Sequence, residues 1–157
     1  MITTPSCEPT VEPSQLLQKY NTNYEKVADR LTVIIERAKK LLQGAFENYQ
    51  IDPRYYYAFI ERKYLVEPLP RENRKSCSSC QYRSLGHKYT ITNTSKVSIT
   101  VSDLLIHNIK EHLSFLDASA EDILSVIDAE SDQSDEDSLI LKTEAPKMFC
   151  CWLDKND

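Results

Sequence analysis

Cys77 and Cys80 form a C-x2-C pair, and His107 and His112 close the same stretch, CSSCQYRSLGHKYTITNTSKVSITVSDLLIHNIKEH, as H-x4-H. Thiolate sulfur and imidazole nitrogen are the donors that Zn2+ takes in closed tetrahedral sites. A C-x2-C spacing lets two thiolates turn toward one ion from a tight knuckle. The spacing therefore predicts one zinc ion held by Cys77, Cys80, His107 and His112. Further donors leave the set open. His87, seven residues past Cys80, can replace either of the later histidines, and Cys150 and Cys151 offer two more thiolates. The competing reading is that the cysteines are free thiols and the histidines ordinary helix residues.

Four ligands scattered over 36 residues need a scaffold. HKYTIT and KVSITV are rich in Thr, Ile, Val and Tyr and flank NTS, which reads as a β-hairpin. Ser102 is a good N-cap, and Asp103 suits the positive end of the helix DLLIHNIKEHLSFL that follows. Knuckle, hairpin and two-histidine helix together resemble the ββα zinc-finger class over residues 77–112. The resemblance implies a structural two-Cys/two-His zinc site on a hairpin–helix support. The gap of 26 residues from Cys80 to His107 is about twice that of DNA-reading fingers, so no base-reading role is carried over. Histidines five apart also point about 140° apart on an ideal helix. Both reach one ion only where the helix tightens or frays.

A site with four protein ligands leaves no position for water, which argues against metal catalysis. Other enzyme signatures are missing. With only two glycines, Gly44 and Gly86, neither a G-x-G-x-x-G turn nor a G-x-x-x-x-G-K phosphate loop can be written. H-E-x-x-H is absent, as is the H-x-E that precedes P-C-x-x-C in zinc deaminases. The expectation is a binding module and no enzyme.

Charge suggests two kinds of partner. Residues 1–70 carry nine basic and nine acidic residues, residues 71–112 seven and three, and residues 113–157 three and twelve. A protein partner is favoured by the overall acidity of the chain, net −5, and by a long amphipathic helix described below. Nucleic acid is the alternative. There Arg71, Arg74, Lys75, Arg83, Lys88 and Lys96 would meet phosphates, and Tyr82 and Tyr89 would stack on bases. The acidic run from Glu121 to Asp137 would then compete for the basic segment. Ser131 and Ser134 in SDQSDEDS are phosphorylation candidates that would add negative charge.

The remaining elements follow from periodicity. Residues 1–14 hold three prolines and read as a flexible leader, with helix starting near Ser14. A helical region is expected over 15–70. Asn21 or Thr22 caps a helix whose apolar or small residues, Tyr24, Ala28, Leu31, Ile35, Ala38, Leu42, Ala45 and Tyr49, step by four and three. Val27, Ile34 and Leu41 widen the stripe. Glu25, Lys26, Asp29, Arg30, Glu36, Arg37, Lys39 and Lys40 take the solvated side. The coiled-coil rhythm makes a homodimer through residues 22–49 an alternative to an internal core. Asp52 and Pro53 predict a second helix through RYYYAFIERKYLV, ended by Pro68 and Pro70.

The zinc-binding hairpin–helix spans 71–117, and 118–157 reads as an acidic, partly disordered tail with a short apolar run, MFCCWL. The fold expectation is thus α+β and mostly helical, with N-terminal helices packed on a zinc-stabilised β-hairpin–helix unit. The N-terminus lacks a secretory pattern and no apolar run approaches about 20 residues, so an intracellular site, cytoplasmic or nuclear, and reduced cysteines are expected.

Overall fold

The computed structural model describes residues 12–93, 95–116, 118–127 and 137–144. Ser131, Ser134, Cys150, Cys151, most of the leader and the MFCCWL run lie outside them. Helix α1 (Pro13–Lys19) has Pro13 in its first turn, where a missing N–H costs nothing. Helix α2 (Tyr24–Tyr49) is capped by Asn23, whose side chain accepts from the Lys26 N–H, rather than by Asn21 or Thr22. Asn21 instead adopts a left-handed conformation (φ 54°) in the turn before it.

The predicted second helix is overturned. Asp52 does cap, its carboxylate accepting from the Arg54 N–H, but the helical stretch is a single 3-10 turn, Pro53–Tyr55. The aromatic run then enters strand β1 (Tyr56–Ile60), which turns into β2 (Tyr64–Leu69). Aromatic and β-branched side chains fit a pleated surface better than a helix, where they lose rotamer freedom against the preceding turn. Ala58 and Ile60 face the main core, while Phe59 joins Leu65 and Ile140 in a small cluster of its own. Pro68 lies past the last β2 residue paired with β1, so its missing N–H breaks no bond of that pairing.

The hairpin β3 (Lys88–Thr92) and β4 (Ser98–Ser102) forms as expected. The Asn93 side chain closes its loop by accepting from the N–H groups of Ser95 and Val97. Helix α3 (Asp103–His112) follows, capped by Ser102, whose hydroxyl accepts from the Leu105 N–H. Helix α4 (Ala120–Val126) and strand β5 (Ser138–Leu141) come next. All pairings are antiparallel, in the order β4-β3-β2-β1-β5.

The fold is α+β, with a five-stranded sheet where one hairpin was expected among helices. The stretch read as an acidic tail also contributes to the core. Ile123, Leu124, Val126 and Ile127 are buried, and β5 pairs with β1.

The apolar stripe of α2 is buried within one chain. Ala28, Leu31, Ile34 and Ala38 have no exposed surface, and Ile35, Leu42 and Ala45 are buried beside them. β1 and α3 pack against α2, so the stripe needs no second copy to cover it. Tyr49, the last residue of the rhythm, is the exception and stands exposed.

Arg30 and Arg37, assigned to the solvated side, turn inward instead. Both bind Glu61, whose side chain is fully buried at the tip of the β1–β2 hairpin. Arg30 grips it with both nitrogens, at 2.8 and 2.6 Å. Arg37 adds a bond at 3.1 Å and also holds Asp137 through two bonds. Asp137 in turn accepts the Glu61 backbone N–H at 3.0 Å. This network fixes a hairpin turn in which Glu61 and Arg62, neither of them glycine, have φ of 56° and 57°. A left-handed residue other than glycine costs about 1–2 kcal/mol, which the charge-assisted bonds at the tip offset.

Candidate metal centre

The two cysteines sit at the end of a narrow ribbon built from residues 72–86. Its arms are joined by bonds from the Glu72 N–H to Gly86 O, the Ser84 N–H to Lys75 O, and the Cys77 N–H to Tyr82 O. A bridge between Ser76 and Arg83 lies between the last two. At the turn, the Ser79 N–H donates to Cys77 Sγ and the Tyr82 N–H to Cys80 Sγ, both at 3.4 Å. Backbone amides aimed at sulfur stabilise negative charge there. Burial raises the Cys77 thiol pKa, but the amides of Ser79 and Cys80, the Cys80 side chain and Asn108 together outweigh it. The net direction is downward, toward thiolate.

The ribbon closes only because residue 86 is glycine. Gly86 has φ +83°, and a Cβ there would fall inside the van der Waals shell of the Glu72 carbonyl oxygen. Gly86→Ala is therefore expected to lower the melting temperature and weaken metal retention. The left-handed φ alone contributes about 1–2 kcal/mol and the backbone clash adds to it. Thermal unfolding of Gly86→Ala beside Gly44→Ala, where a Cβ meets only the Asn48 side chain at 3.9 Å, checks this. Equal melting temperatures for the two variants would contradict it.

Helix α3 brings the histidines to the ribbon. Donor atoms of Cys77, Cys80, His107 and His112 all lie within 4.8 Å of one another, and together they could hold a metal ion. Cys80 Sγ is 3.1 Å from His107 Nε2. The rings of His107 and His112 meet edge to face with centroids 5.1 Å apart. Their angular separation is resolved at the helix end. α3 stops at His112, Leu113 turns left-handed (φ 50°), and the Leu113 and Ser114 N–H groups both reach Asn108 O. That wide last turn carries His112 round toward His107.

His112 Nε2 is buried and has no hydrogen-bond partner in the protein. A buried imidazole nitrogen without a partner costs about 1–3 kcal/mol. His112 Nε2 lies within reach of two sulfurs and a second imidazole, a group that could hold a metal ion.

Several supporting residues had no motif to announce them. Asp103 opens α3 as a helix-start acid, and its carboxylate also accepts from the Leu85 N–H and from Tyr82 Oη, fastening α3 to the ribbon. Tyr82 stacks on the His107 ring, centroids 4.0 Å apart and planes 10° from parallel, and fixes its orientation. Burial and the nearby Asp103 charge raise the Tyr82 pKa, keeping the phenol a donor. Asn108 is buried between Leu104 O, to which its amide donates, and Cys77 Sγ.

His87 is not in the donor group. Its carbonyl accepts the Asp103 N–H, and it lines a cavity of about 350 Å3 beside Ser84, Gly86 and Leu116.

The basic residues do not gather as one stripe. Arg74, Lys75 and Arg83 are exposed on the ribbon, and Arg71, exposed just before it, donates to Leu85 O. Lys75 and Lys88 both pair with Glu72, at 3.8 and 2.8 Å. Lys96 lies in the β3–β4 loop, the length of β3 away, about 15 Å. Tyr89 is buried in the core, so it does not offer a stacking face, and Tyr82 stacks on His107. Asp137, read as part of an acidic run competing for this segment, is held by Arg37.

No helix among the described residues is long and apolar enough to cross a membrane. Compared with known proteins, the chain matches no family model, no curated protein and no solved structure.

Proposed function

We propose that the protein is a zinc-stabilised protein-interaction module, in which the ion welds the 72–86 ribbon to α3 and plays no catalytic part. The observation that carries the zinc reading is the buried, unpartnered His112 Nε2 beside two sulfurs and a second imidazole. Tetrahedral zinc with bonds of about 2.3 Å to sulfur and 2.0–2.1 Å to nitrogen places its donors roughly 3.3–3.8 Å apart. A group spread over no more than 4.8 Å reaches that geometry by small side-chain movements. Two thiolates with two imidazoles is a common donor set of structural zinc.

Four protein ligands fill the coordination sphere, so the centre supplies folding energy and shape rather than an activated water. What favours a protein partner over nucleic acid is the pairing of Lys75 and Lys88 with Glu72, the distance of Lys96, and an overall charge of −5. Two measurements test the proposal. Elemental analysis after metal-free handling and reconstitution is expected to find about one zinc per chain. The reconstituted protein is expected to pass a single-stranded nucleic-acid column unretained at low salt. Absence of zinc overturns the metal reading, and salt-sensitive retention overturns the choice of partner.

A further inference from the structure

One exposed patch lies away from the metal centre. Phe46 and Tyr49, one turn apart near the end of α2, are 58% and 76% exposed. Tyr55, in the 3-10 turn that packs against α2, is 61% exposed, and Leu141, at the end of β5, is 40% exposed. Leu141 shares a sheet face with Leu139, which packs on the main core, and is paired with Tyr56. Three exposed aromatic residues and a leucine thus lie on elements that pack together where α2 ends, β1 begins and β5 ends.

The described chain also ends there. The Lys142 N–H bonds Tyr55 O and the Glu144 N–H bonds Leu141 O, each at 2.9 Å, so the last described residues are pinned to the edge of the patch. Four residues past Glu144 comes Met148, the start of M-F-C-C-W-L, an uncharged run flanked by Lys147 and Asp154. From Glu144 to Met148 the chain reaches at most roughly 13–14 Å, so the start of the run is tethered within that distance of Glu144. A tether this short gives an effective concentration of order millimolar. A weak apolar contact within the chain then outcompetes the same contact from a second copy at ordinary concentrations.

We propose that residues 148–153 of the same chain dock across Phe46, Tyr49, Tyr55 and Leu141. The patch is an internal receptor for the apolar end of the chain, and a protein partner carrying a similar aromatic-aliphatic run would displace it. The proposal does not depend on the zinc reading.

Trp152 is the single tryptophan and reports on its own docking. In the full chain its emission is expected to be blue-shifted and several-fold protected from acrylamide quenching, independent of protein concentration. In the full-length double variant Phe46→Ser/Tyr49→Ser, emission and quenching should move to those of an exposed indole. Both positions are exposed, so the fold itself tolerates the change, and circular dichroism confirms that it does. An exposed Trp152 in the unaltered chain would overturn the proposal. So would a protected Trp152 indifferent to the double variant, or protection that vanishes on dilution, which would indicate a second copy as the occupant.

Discussion

Stripping the metal with a chelator is expected to lower the melting temperature sharply and to release the 72–86 ribbon from α3. Apparent zinc-binding energies in small two-Cys/two-His units are on the order of 10 kcal/mol or more at neutral pH, comparable with the whole net stability of a domain, about 5–15 kcal/mol. The ribbon has little else to hold it. Its contacts with α3 include the Asp103 bonds, the Tyr82–His107 stack and the contacts of Cys80 with His107 and of Cys77 with Asn108, while most of its residues are exposed. Cys77→Ala should reproduce the loss, and chelator added to Cys77→Ala should change nothing further, because both remove the same interaction. Differential scanning calorimetry of the four combinations decides this. A variant that melts like the wild type, or a further fall on adding chelator, would contradict the account.

Glu61→Ala is expected to destabilise the fold by about 3–5 kcal/mol, the range for removing one partner of a buried ion pair. In a chain of this size that corresponds to a fall of roughly 6–20 °C. The cost has two sources. Arg30 and Arg37 lose a fully buried acceptor, and the Arg37–Asp137 pair loses the carboxylate that ties it to Arg30. Glu61→Gln should recover part of the loss by keeping the shape and one acceptor oxygen. Replacing Arg30 and Glu61 together should cost less than the sum of the two separate effects, since the side chains act as one network. Urea unfolding of the single and double variants measures the coupling. A Glu61→Ala midpoint equal to that of the wild type would show that the network carries no stability.

The candidate donor group and the hairpin–helix that carries its histidines were the most legible part of the sequence, because local signals carry them. C-x2-C, the alternation in KYTIT and SITVS, and the Ser102 cap all act within a few residues and all reappear in the fold. The long helix was legible for the same reason, since the apolar rhythm from Ala28 to Ala45 is a property of one element.

The β1–β2 hairpin was not legible. Its turn, Glu61-Arg62, uses two left-handed residues without the Asn-Gly or Asp-Gly that announces such a turn. What licenses them is Arg30 and Arg37, 31 and 24 residues earlier, and Asp137, 76 residues later. The preceding Asp-Pro pair gave a true capping signal for a helix only one turn long. Strand β5 was hidden in the same way. S-L-I-L follows a dense acidic run, and only its pairing with β1 makes it a strand. At the centre itself, Tyr82, Asp103 and Asn108 act through contacts 18–31 residues apart in sequence, which no short motif encodes.

Zinc K-edge X-ray absorption on protein reconstituted with one equivalent of zinc tests the central claim most directly, because it reads the donor atoms themselves. The account predicts a four-coordinate shell with two sulfurs at about 2.3 Å and two nitrogens at about 2.0–2.1 Å. His112→Ala should replace one nitrogen scatterer or lower the coordination number while leaving both sulfurs. A shell of nitrogen and oxygen only, or a spectrum unchanged in His112→Ala, would contradict it.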